Sequence, residues 1–162
     1  MRPPRSPNGG GALECASLRH ASVPDATAFL AKGDRVDDPL MILVAGPYRS
    51  GTNDDPALIE ANVAAMTRAA LGLFRLGHLP VMGEWFALPL IEAAGSTGVG
   101  DDVFDEIFHP IAERVLERCD ACLRIGGPSQ GADRMVEVAR GLGKAVFEDI
   151  AAIPGARGQR IR

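Results

Sequence analysis

From residue 40 onward the apolar positions follow two alternating rhythms. "LMILVA" (40–45) is an unbroken apolar run, the mark of a strand buried on both faces of a parallel sheet. Asp55-Pro56 then opens a helix, with Asp as N-cap and Pro at the first helical position. Ile59, Val63, Met66, Ala70 and Leu73 recur at helical spacing until Gly77 ends the pattern. "HLPVM" reads as a second, short strand, and "EWFALPLIEAAG" as a short helix or an irregular segment broken by Pro89. "DDVFDEIFHPIAERVLERC" puts Phe104, Phe108, Ile111 and Val115 on one face, with Pro110 expected to kink it or split it in two. "ACLRIG" is a third strand, "GPSQGADRMVEVARGLG" a loop and a helix, and "KAVFED" a fourth strand.

Strands alternating with helices across short loops predict an α/β fold. The expected form is a doubly wound parallel sheet of the Rossmann or flavodoxin-like kind, three layers deep, in a single domain over 39–150. In such sheets ligands bind beyond the carboxyl ends of the strands, at the switch point. Residues 1–38 read as a tail: "MRPPRSPNGGGA" is rich in Pro and Gly, has no periodicity and buries too little to offset its ordering entropy. Met41 opens the first strand and is the expected start of the functional domain. Residues 151–162 read as a second tail.

Two loops leave strands on the ligand side with phosphate-friendly chemistry. The first, "GPYRSG" (46–51), has the Gly46/Gly51 spacing of a phosphate-binding loop, followed by Thr52. A P-loop needs a lysine before the Ser or Thr, and this one has none. Asn53, Asp54 and Asp55 also separate it from its helix, where two acids would repel a triphosphate. A P-loop NTPase is excluded. Arg49 either closes a plain turn or takes a monophosphate through its two-pronged guanidinium, with Ser50 adding a hydroxyl. The second loop, "GGPSQGA" (126–132), offers Ser129 and Gly131 at a helix start, where backbone N–H groups favour an anion. Its alternative is a plain capped turn.

Charge narrows the partners. Residues 39–150 carry sixteen acids and nine bases, whereas 1–38 carry five of each. An acidic body argues against nucleic acid as a partner. No run of about 20 apolar residues is expected to span a membrane, and no signal peptide is legible, so the expected location is cytoplasmic. Cys119 and Cys122 have a redox-like spacing, but they lie where helix passes into strand, and no second pair completes a metal site. They read as core residues, and neither metal nor cofactor is expected. His78 reads as structural. His109 is either structural or faces the pocket, and Trp85 either stacks a base or packs. Glu84 is the more informative neighbour, because an acid at the carboxyl end of a strand has few structural reasons to be there.

Three stretches together resemble the nucleoside 2-deoxyribosyltransferase-like superfamily: "ILVAGPYRSG", "RCDACLRIG" and "SQGADRMVEVARGLGKAVF". The resemblance covers roughly residues 41–148 and is strongest to a bacterial and phage branch. The group includes 2′-deoxynucleoside 5′-phosphate N-hydrolases. It implies a small-molecule nucleotide as partner and a homo-oligomer, dimer or larger. It implies phosphate contacts from Gly46, Arg49, Ser50 and Gly51 in one loop and Ser129 and Gly131 in the other. It further implies a base and sugar pocket containing Tyr48, Trp85, His109 and Met135.

The family's central glutamate lies nine residues before the lysine of the final "GK". Counting back from Lys144 gives Met135. Asp133 and Glu137 lie two residues either side, and a shift of two turns a helical side chain by about 200°. The carboxylate would then come from Asp133, Glu84 or Glu137. Two functions follow from the resemblance: N-glycosidic cleavage or transfer on a nucleoside 5′-monophosphate, or a nucleotide-binding module that has lost the acid.

Overall fold

The computed structural model describes residues 36–156, and every structural statement below concerns those residues. The expected tail therefore lies almost wholly outside them. The elements are β1 (Met41–Ala45), α1 (Pro56–Arg75), β2 (Leu79–Val81), α2 (Gly83–Ala93), α3 (Asp102–Arg118), β3 (Ala121–Arg124), α4 (Gln130–Gly141), β4 (Ala145–Phe147) and a 3₁₀ turn (Ile150–Ala152).

The four strands form one parallel sheet in the order β2-β1-β3-β4. This is the flavodoxin-like order without a fifth strand. In β1, Ile42 and Val44 face one side and Leu43 and Ala45 the other, as a two-residue repeat requires. Ile42 and Val44 join Leu123, Ala145 and Phe147 beneath Met66, Ala70 and Leu73 of α1. Leu43 and Ala45 join Cys122 beneath Ala112 and Leu116 of α3 and Met135 and Ala139 of α4. Helices thus cover both faces, giving three layers. Successive connections leave β1 and β3 in opposite directions, so the switch point opens between those strands.

Helix α1 starts where Asp55-Pro56 predicts, with Asp55 Oδ1 accepting from Ala57 N at 2.9 Å. Among the described residues, α1 alone is long and apolar enough, by length and composition, to cross a membrane, contrary to the expectation of no such stretch. In this fold its Met66–Leu73 stripe instead packs on the sheet.

Neither proline breaks its helix. Pro89 lies inside α2 and Pro110 inside α3, each of which runs on unbroken. Packing of α2 on α3 through Ala87, Ile91 and Phe104 outweighs the one backbone bond that each proline removes. The domain also extends past residue 150. Ile153 is buried in the α1-side core, and His78 bridges the two ends of the described segment. The His78 Nδ1 accepts from Leu40 N (3.1 Å), and its Nε2 lies 2.6 Å from Pro154 O.

Candidate functional site

The first loop is held rigidly at the carboxyl end of β1. Gly46 lies so close to α1 that a Cβ would meet Met66 Cγ at 2.8 Å. Asn62 of α1 donates to the carbonyls of Tyr48 (3.0 Å) and Ser50 (3.5 Å). Buried Thr52 donates through Oγ1 to Arg49 O (2.6 Å) and accepts from Asp54 N (3.2 Å). Asn53 and Asp54 follow in left-handed backbone, at φ 49° and 62°. This places the Asp54 carboxylate on both Nε and Nη2 of Arg49. That hydrogen-bonded pair raises the Arg49 pKa and lowers that of Asp54.

The second loop meets the first. Ser129 caps α4, its hydroxyl accepting from Ala132 N at 3.3 Å. Ser50 Oγ donates to Ser129 Oγ across 3.2 Å. The loops also touch at Gly126, where a Cβ would strike Pro47 Cδ at 2.7 Å. His109 of α3 backs Gly131, with its Cε1 only 3.0 Å from where a Cβ would stand.

Between the loops opens a cavity of about 230 Å³. Its lining includes Tyr48, Arg49, Ser50, Glu84, His109 and Ser129. Glu84 comes from the first turn of α2, just past the end of β2, and is only 8% exposed. Desolvation raises its pKa above the ordinary 4.5, and a bond from its own backbone N–H offsets part of that. Tyr48 is raised as well, first by burial and then by the facing Glu84 charge. Tyr48, Phe104 and Phe108 form an aromatic wall, with ring centroids 5.3 Å apart for Tyr48–Phe108 and 4.7 Å for Phe104–Phe108. One side of the cavity is thus hydroxylic and cationic, another aromatic, and a third carries a buried carboxyl group.

The sequence-derived candidates divide sharply. Gly46, Tyr48, Arg49, Ser50, Glu84, His109, Ser129, Gly131 and Met135 all line the cavity. Asp133 does not: it faces outward and binds Arg124 Nε at 2.9 Å. Glu137 lies on the exposed side of α4, outside the lining. The 200° separation from Met135 holds, because α4 is regular from its first turn. Trp85 is 46% exposed and points away from the cavity that its neighbour Glu84 enters. Gly51 shapes the turn, at φ 76°, without lining the cavity. Met135 is 4% exposed and belongs both to the core and to the cavity floor.

Sequence reasoning missed Asp105 at the cavity and the role of Phe104 and Phe108, which read only as a core stripe. Cys119 and Cys122 are buried free thiols pushed by desolvation to about 11 and about 12, values at which neither is a nucleophile near neutral pH. Among the described residues no group of three or more His, Cys, Asp or Glu is placed to hold a metal ion. A second groove of about 470 Å³, beside Phe86, Leu90 and Val115, is apolar apart from Arg114 and Arg118 and offers no reacting group.

No protein-family model and no curated protein matches the chain. Seven chains of solved structures do. One is a 2-deoxyribosyltransferase from the psychrotolerant bacterium Bacillus psychrosaccharolyticus, described as a biocatalyst for synthesis of antiviral and antitumoral nucleosides. It is 18% identical, at a TM-score of 0.48 over 65% of this chain and 69% of that one. The chemistry of the cavity rests on this chain's own residues.

Proposed function

We propose that the protein cleaves or transfers the N-glycosidic bond of a nucleoside 5′-monophosphate, with Glu84 as the working acid. The supporting observation is the convergence of Ser50, Ser129 and buried Glu84 on one cavity. The two hydroxyls, Arg49 and the N-terminus of α4 suit a phosphate. The aromatic wall suits a base.

A carboxyl group with a raised pKa suits proton donation. As the C1′–N bond opens, its electron pair goes to the base nitrogen, which takes the Glu84 proton. Water adds at C1′ and returns a proton to Glu84. In transfer a second base replaces water. Of the three candidate acids only Glu84 reaches the cavity, so the chemistry moves from the last helix to α2.

Met135 at the position of the family glutamate favours a second reading, a nucleotide-binding module without turnover. Incubation with deoxynucleoside and ribonucleoside monophosphates, followed by assay for free base, separates the two. Release that Glu84→Gln abolishes supports the enzyme. Tight binding with no release supports the module, and neither binding nor release refutes both. The resemblance to deoxyribosyltransferase-like proteins also makes a homo-oligomer part of this proposal.

A further inference from the structure

We infer that Arg124 is the positioning residue of the second loop: it holds the loop's carbonyls out of the cavity, so that hydroxyl and N–H groups are left to face a phosphate. The inference rests on the proposed nucleotide reading and concerns how that site acquires its affinity for the phosphate group.

The second loop has little shape of its own. Gly126 stands in left-handed backbone, at φ 78°, and Gly127 follows it. Glycines turn their peptide planes at small cost. A Cβ at Gly127 would meet nothing, so packing does not fix that residue either. Left free, such a loop presents carbonyl oxygens to a ligand as readily as N–H groups. Only the N–H groups attract an anion.

Arg124 removes that freedom. It is the last residue of β3, and its side chain is 13% exposed. Its Nη1 donates to Ile125 O, and its Nη2 donates to Gly127 O at 2.8 Å. Its Nε donates to Asp133 Oδ1 at 2.9 Å, in the first turn of α4. One planar guanidinium thus grips the loop at its start, at its middle and at the helix beyond, and Ser129 lies between the last two. Neither Arg124 nor the two residues whose carbonyls it holds line the cavity, whereas Ser129, Gln130 and Gly131 do. Arg124 therefore acts through the loop and touches no ligand. The two carbonyl contacts carry the effect. Asp133 is 60% exposed, and its ion pair is screened by water.

The test measures, by calorimetry, how much tighter each 2′-deoxynucleoside 5′-monophosphate binds than the matching 2′-deoxynucleoside. That ratio isolates the phosphate, which a general loosening of the fold does not single out. Circular dichroism and melting check folding. Arg124→Met should lower the ratio by about tenfold, the worth of one hydrogen bond to a charged group, with nucleoside binding unchanged. Arg124→Lys keeps the charge but not the planar fork that spans two carbonyls, so it should lose most of the same factor. The lysine variant also keeps the test decisive where Arg124→Met melts too low to titrate. Asp133→Asn leaves both carbonyl contacts in place and should keep the ratio. An unchanged ratio in Arg124→Lys, a parallel loss of nucleoside and monophosphate binding, or an equal fall in Asp133→Asn overturns the inference and leaves the nucleotide reading standing. If the wild type binds monophosphates no tighter than nucleosides, both fail.

Discussion

Ser50 and Ser129 are 79 residues apart in sequence, yet their hydroxyl oxygens lie 3.2 Å apart. One hydroxyl caps α4 and the other caps nothing. The pair therefore separates folding from binding. Ser129→Ala should lower stability by about 0.5–2 kcal/mol, the usual cost of a lost cap. Ser50→Ala should leave the melting temperature nearly unchanged. Both should weaken binding of a nucleoside monophosphate by about tenfold, the worth of one hydrogen bond to a charged group. Calorimetry and thermal melting read the two effects independently. Unaltered affinity in both variants would remove the serines from the site.

Glu84 links activity to pH. As the proposed proton donor it must be protonated, so turnover should be full below its raised folded pKa and decline as pH rises through it. Glu84→Gln should cut the rate by about 10²–10⁴ without abolishing binding. A pH–rate profile that climbs through the same range would contradict the donor role.

The same group links stability to pH in the same direction. Above about pH 4.5 the unfolded chain gives up this proton while the folded protein keeps it. The stabilising contribution is complete below that value and fades as pH rises to the folded pKa. Gln is neutral throughout, so Glu84→Gln should gain on wild type in melting temperature across that window. Parallel melting curves at every pH would show that Glu84 is not desolvated.

Met135 tests whether the acid has moved. Met135→Leu keeps volume and should cost under about 1.5 kcal/mol, with activity retained. Met135→Glu places a carboxyl group at a position 4% exposed and should cost about 3 kcal/mol. Any cleavage it adds should survive removal of the Glu84 carboxyl group. A Met135→Leu protein that folds normally and yet loses turnover would restore Met135 as a participant.

Residues 1–35 carry the Pro- and Gly-rich stretch and lie outside the described residues. Val36 pairs with Ala156 and belongs to the fold. A protein beginning at Val36 should melt within a few degrees of the full chain, where about 2–4 °C corresponds to 1 kcal/mol. A collapse of the melting temperature would make the earlier residues structural.

The sheet was legible because its signals are local. β1 is an apolar run, Asp55-Pro56 caps α1, and Ser129 caps α4. Pro89 did not break its segment and Pro110 did not split its helix, because a helix tolerates one lost bond when a neighbouring helix packs against it. The lining of the candidate site was legible where loops carry it and obscure where long-range pairing decides. Arg124 takes Asp133 out of contention, a pairing no spacing rule announces. Phe104 and Phe108 obey the helical repeat of a core stripe, which hides their place in the aromatic wall. Glu84 stood out only by being an acid where a strand ends; its burial goes with its place in the first turn of α2, on the cavity wall.

The His78 bridge has a practical consequence for assembly. Leu40 and Pro154 are tied to one imidazole, and Val36 pairs with Ala156. The described segment therefore begins and ends at one spot, at the end of the sheet away from the cavity. A domain with that geometry can be spliced into a loop of another protein, because its host need span only a narrow gap. Its cavity would face outward from any such host, with both connecting strands of polypeptide behind it.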